Sequence, residues 1–138
     1  MGDVLVVEDD PDLLAALAGA LEEEGFGVSR ARHGLDALGQ LRSGRRPCVI
    51  LLDLMMPIMN GWQFRHEQRQ DRDLARIPVV VVSAKTDSAQ HAAWLEADAY
   101  LEKPFSLGRL LAIVKQFCGD EKEGREDLER PERPEISP

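Results

Sequence analysis

Five residues from four segments far apart in the sequence carry groups able to handle phosphorus or a metal ion: Glu8, Asp9, Asp53, Ser83 and Lys103. Carboxylates crowded together repel unless a cation joins them, and an all-oxygen set of two or three carboxylates plus waters suits Mg²⁺. An Asp held beside such a cation can attack phosphorus and form an acyl phosphate. Phosphoryl transfer needs mainly positioning and neutralisation of the equatorial oxygens. The Lys103 ammonium and the Ser83 hydroxyl are of the types that supply it. Taken one at a time, each residue has a plainer reading. Acids before Pro11 cap a helix, an Asp after a strand sits in a turn, and Lys103-Pro104 is surface. Met55, Met56 and Met59 fit gap filling. His33, His66 and His91 stand apart and read as solvated or helix-surface residues.

The elements around these residues are what bring them together. Val4–Val7, Val49–Leu52 and Val79–Val82 are short, mostly β-branched and free of polar alternation, as expected of parallel strands covered on both faces. Weaker strand candidates are Val28–Ala31 and Ala99–Leu101. A first helix opens at Asp10-Pro11, places Leu13, Leu14, Leu17 and Leu21 on one face, and ends at Gly25. Leu35, Leu38 and Leu41 mark a second, closed near Gly44. Ser106 caps a last helix with Leu107, Leu110, Leu111, Val114 and Phe117 inward. After Gly61, Trp62 and Phe64 lead into a wholly polar stretch, and a helix is expected there because a parallel crossover needs one. The same reasoning gives a short fourth crossover helix within Thr86–Leu95. Five strands alternating with five helices predict an α/β fold, a doubly wound parallel sheet with helices on both faces. In such sheets ligands bind beyond the carboxyl ends of the strands. That is where Glu8, Asp9, Asp53, Ser83 and Lys103 all fall.

Length and charge narrow the possibilities. The 138 residues fit one domain plus a short extension. A net charge of −8 argues against direct contact with nucleic acid or an anionic membrane. Residues 119–138 hold eight acids and four bases with few apolar groups, a composition expected of a disordered tail or linker. The domain is therefore expected over residues 1–118. The opening MGDVLVVEDD has no basic n-region, so no secretory signal is expected, and no run is long enough to cross a bilayer. Cys48 and Cys118 lack metal-site spacing and are expected to be reduced thiols of a cytoplasmic protein.

Together, VLVVEDDPDLL, LLDLMMPIMNGWQF, IPVVVVSAK and AYLEKPF resemble the successive signatures of the receiver domain of two-component response regulators, with the flavodoxin-like fold. The resemblance covers about residues 3 to 118. It implies that Asp53 accepts the phosphoryl group and that Asp9 binds Mg²⁺ directly. Glu8 would act on the metal through water, and Met55 would offer its backbone carbonyl. It implies that Lys103 contacts the phosphoryl group, ahead of a cis bond to Pro104. Ser83 and Tyr100 would be the switch pair, and Asp10 resembles an N-cap more than a ligand. The implied donor is a histidine kinase or phosphotransfer protein. The output is a protein partner on the face made by the fourth crossover helix, the fifth strand and the last helix, where the aromatic Trp94 is either an anchor or part of the core. Catalysis would be confined to the domain's own aspartyl phosphorylation and dephosphorylation.

The resemblance is not complete. The stretch from Ser83 to Lys103 is about two residues shorter than in the usual receiver, and Glu96 stands where Gly is common. A weak symmetric dimer on that face is therefore expected. Two rivals remain: a receiver-like scaffold that is not phosphorylated, and a haloacid-dehalogenase-type phosphatase. The latter wants a second acid two residues after the nucleophile, where this chain has Met55. The lack of GxxxxGK and GxGxxG places P-loop and dinucleotide enzymes below both rivals.

Overall fold

The structure, a computed structural model, describes residues 2–84 and 96–119. Strands β1 (Asp3–Val7), β2 (Gly27–Ala31), β3 (Val49–Asp53), β4 (Val79–Ala84) and β5 (Ala99–Lys103) form one parallel sheet in the order β2-β1-β3-β4-β5. Alternate residues along each strand serve two separate cores. Leu5, Val7, Ile50, Leu52, Val79 and Val81 pack under α2 (Gly34–Arg42), α3 (Gly61–Gln70) and α4 (Arg72–Ala75). Val4, Val6, Val49, Leu51, Val80 and Val82 pack under α1 (Pro11–Glu23) and α5 (Leu107–Cys118). Burial on both faces explains why these strands lack polar alternation. Strand order reverses at β1, so the connections that leave β1 and β3 run to opposite faces of the sheet and open a crevice above the strand ends.

The helices form where caps and apolar spacing allow. The Asp10 carboxylate accepts from the Asp12 and Leu13 amides, with Pro11 at the first helical position. The helix closes where the Phe26 amide reaches the Leu21 carbonyl and Gly25 takes φ 99°. The polar stretch after Phe64 is helical through Gln70, followed by the short α4, which the sequence pattern did not predict. Two features stabilise α3. Asn60 and Gln63 form a reciprocal capping box, each bond 2.9 Å. Arg65 and Gln68 are buried and joined by a 2.8 Å hydrogen bond.

Three other expectations change. Leu35 and Leu107, expected on apolar faces, are each 52% exposed, and Ala37 and Ile113 take the inward positions instead. His33 is a half-buried cap whose Nδ1 accepts from the Asp36 amide. Cys48 and Cys118 are not free thiols but a disulfide across 70 residues, and no free cysteine remains among the described residues. The packing of α5 brings its last residue to the start of β3, leaving Cα atoms 5.4 Å apart, within the range a disulfide spans. The expected helix within Thr86–Leu95, its Trp94, and the segment beyond Gly119 lie outside the described residues.

Candidate functional site

The carboxyl ends of β1, β3, β4 and β5 converge. Register places Asp53 beside Val82 and Ala84 beside Lys103, so Asp53, Ser83 and Lys103 lie on successive strand ends. Glu8 leaves β1 with its amide bonded to the Ala31 carbonyl of β2. One carboxylate oxygen each from Glu8, Asp9 and Asp53 lies within 4.8 Å of the others. Lys103 Nζ stands 3.5 Å from Glu8 Oε1 and 3.8 Å from Asp53 Oδ1. One ammonium therefore faces two buried carboxylates, with half-buried Asp9 at the open side.

Backbone geometry fixes Asp53 from the far side. The Gly61 amide donates to the Leu54 carbonyl at 2.9 Å. A Cβ at Gly61 would come within 2.8 Å of the Asp53 carbonyl oxygen and the Leu54 Cα. Only glycine lets the start of α3 approach the end of β3 so closely. The intervening loop is tight. Ile58 takes φ 67°, and the Met59 amide donates to the Pro57 carbonyl, a γ-turn that is costly for a β-branched residue.

The electrostatics are unbalanced. Glu8 is only 2% exposed, and Oε2 accepts from the Asp10 amide at 3.1 Å. Its Oε1 is buried with no hydrogen-bond partner among the described residues. Burial, more than the neighbouring Asp53, lifts the Glu8 carboxyl from 4.5 to about 7. Burial also raises Asp53, against the opposing pull of Lys103. A buried carboxylate oxygen with no hydrogen bond and only a shared ammonium at 3.5 Å, beside two further carboxylates, is what a hard cation would complete. The donor set fits Mg²⁺.

The other expected residues divide. Met55 is at the rim, where its amide donates to Asp53 Oδ1 at 3.4 Å and its side chain is exposed. Lys103-Pro104 is a cis peptide bond. Asp10 is the N-cap of α1 and is absent from the carboxylate cluster. Tyr100 is not brought to the site. It pairs with Val81 in mid-strand and is 41% exposed, lining a shallow surface depression with Arg109, Ile113 and Gln116. Sequence reading missed Gly61 as a positioning residue. The signal was present in Asn60-Gly61 directly before an apolar pair, a turn-and-cap pattern.

The profile of the response regulator receiver domain matches residues 4–115. The chain belongs to this family. The transcriptional regulatory protein PrrA of Mycobacterium leprae is 44% identical over 115 residues, covering 81% of this chain and 48% of PrrA. The chain spans about half the length of the curated relatives it matches. Among solved structures, the signal receiver domain of a histidine kinase from Syntrophus aciditrophicus is 30% identical with a TM-score of 0.75, covering 96% of both chains. The phosphorylated cyanobacterial phytochrome response regulator RcpA is 32% identical with a TM-score of 0.70, covering 83% of this chain and 89% of that one. No helix among the described residues is long and apolar enough to cross a membrane.

Proposed function

We propose that this receiver domain is a cytoplasmic phosphorylation switch that takes a phosphoryl group onto Asp53 from a histidine kinase or phosphotransfer protein. The observation that carries this reading is the buried pair Glu8 and Asp53 sharing the one ammonium of Lys103, with Glu8 Oε1 making no hydrogen bond. That RcpA, a relative of the same fold, is a phosphorylated response regulator supports it.

Glu8, Asp9 and Asp53 would hold Mg²⁺, with the Met55 carbonyl as a further ligand. The bound ion supplies positive charge for the carboxylates and for the phosphoryl oxygens. An ionised Asp53 oxygen forms the new O–P bond while the donor's P–N bond breaks. The imidazole nitrogen leaves with its electron pair and is protonated by solvent. Lys103 keeps Asp53 ionised against burial and then neutralises phosphoryl charge. The Ser83 hydroxyl donates to a phosphoryl oxygen, and Gly61 holds the Asp53 backbone in place. Water attacking phosphorus reverses the acyl phosphate, so catalysis is confined to the domain's own modification. Output passes through Ser83 and Tyr100 to a protein partner on the face of β5 and α5. Charge makes nucleic acid an unsuitable direct partner for this domain.

Intact mass after treatment with acetyl phosphate tests the assignment. One phosphoryl group is expected to add with Mg²⁺ present, none with chelator, and none in Asp53→Asn. Addition that persists in Asp53→Asn overturns it, and no addition under any condition favours the unphosphorylated scaffold.

A further inference from the structure

At the opposite pole of β3 from Asp53, the Cys48–Cys118 bridge joins the residue before the strand to the last residue of α5. We propose that this pair is a reversible redox-modification site, opened by dithiol reductants, whose state sets whether the last turn of α5 is held to the base of the sheet.

Three observations favour a switch over a structural staple. The bridge is not needed to seat α5, because Leu110, Ile113 and Val114 are already buried in the core. Opening it leaves only the half-buried Phe117 and Cys118 to move. Both cysteines are half-buried rather than sealed, so a small thiolate can reach them. The reduced state also has a place to go. Cys48 Sγ lies 3.3 Å from the Asp3 carbonyl oxygen. A bridged sulfur has no proton to give, but a Cys48 thiol would find this acceptor already in position. The Cys48 amide already donates to the same carbonyl at 2.8 Å, which holds the acceptor still in either state. Gly2 completes the site: a Cβ there would run into Cys48 Sγ and fall 3.3 Å from the Cys118 Cβ, so the backbone of Gly2 lies directly against the bridge.

The exchange balances with a dithiol as co-reactant. Its thiolate attacks one sulfur of the bridge, and the other leaves as a thiolate and takes a proton. The second thiol of the reductant then attacks the mixed disulfide. The protein ends with two thiols and the reductant with one disulfide. Oxidised dithiol runs the reaction backwards.

The test equilibrates the whole chain in buffers of varied dithiothreitol redox ratio, alkylates, and reads intact mass beside hydrogen exchange. A single transition is expected, from no alkyl groups to two. In the open form, amides of the last turn of α5 should exchange about tenfold faster or more, while β1 and β3 stay protected. Cys48→Ser/Cys118→Ser should exchange like the reduced chain under every buffer. Alkylation of both thiols at every ratio overturns the proposal, because no bridge then forms. So does a bridge that stays closed at the reducing limit, or equal exchange of the last turn in both states.

Discussion

Arg65 and Glu8 are both ionisable side chains shut away from water, yet their surroundings differ completely. Arg65 donates to Gln68 Oε1 at 2.8 Å and to the Glu96 carbonyl at 2.8 Å. Gln68 in turn donates to the Leu74 and Ile77 carbonyls. Each group in that chain has its partner, and the network ties α3 to α4 and to the approach of β5. Glu8 shares a pocket and the Lys103 ammonium with Asp53, and its Oε1 makes no hydrogen bond. A completed buried network stabilises one arrangement, whereas an incomplete one costs free energy until a ligand completes it. The contrast separates polar burial that holds this domain together from polar burial kept for chemistry.

Truncating the completed network should have the largest effect. Arg65→Ala leaves the Gln68 and Glu96 oxygens without that donor and opens a cavity. A loss of about 3–5 kcal/mol in denaturant unfolding is expected. A loss below about 1 kcal/mol would place Arg65 among ordinary surface residues.

The incomplete site should respond in the opposite sense. A Glu8 carboxyl lifted from 4.5 to about 7 is held protonated by the fold. Its stabilising contribution is full below about 4.5 and is lost as pH rises through about 7. Metal-free protein should therefore weaken between these values, by an amount on the order of 3 kcal/mol. Glu8→Gln should remove most of this slope and be the more stable protein at pH 8. Millimolar Mg²⁺ should flatten the slope in the unaltered chain, because the cation favours ionised Glu8. Unfolding curves across pH, with and without the ion, would show it. A slope unchanged in Glu8→Gln would assign it to another group.

The smallest of these effects concerns the loop between the two regions. Ile58 is 71% exposed and takes φ 67°. Glycine accepts that backbone without penalty, so Ile58→Gly should gain about 1 kcal/mol. A destabilised Ile58→Gly would show that the exposed isoleucine contributes a contact.

How far the sequence could be read follows from the same contrast. Val4–Val7, Val49–Leu52 and Val79–Val82 were legible as strands because burial on two faces leaves no polar position in them. The rim was legible because strand ends in a parallel sheet gather, so Glu8, Asp9, Asp53, Ser83 and Lys103 could be placed without a structure. Arg65 and Gln68 were not legible, since a polar residue looks the same in sequence whether water or a carbonyl satisfies it. Leu35 misled for the converse reason: an apolar residue can point outward when a smaller neighbour, Ala37, fills the inward position. The bridge gave no local signal. Its two cysteines stand 70 residues apart, and only the docking of α5 brings them together.

All five residues of β3 are buried, and the strand is paired to β1 and β4 on its two sides. Cys48 precedes its first residue and Asp53 is its last, about 16 Å away along the strand. Sites influence one another only through an element that has two arrangements to choose between, and a strand so enclosed has one. The coupling free energy between bridge and phosphoryl group should therefore lie near zero, and Asp53 should be modified at the same rate, within about twofold, whether the bridge is open or closed. One strand would then separate two independent inputs, an electron pair at one end and a phosphoryl group at the other, giving the domain four distinguishable states.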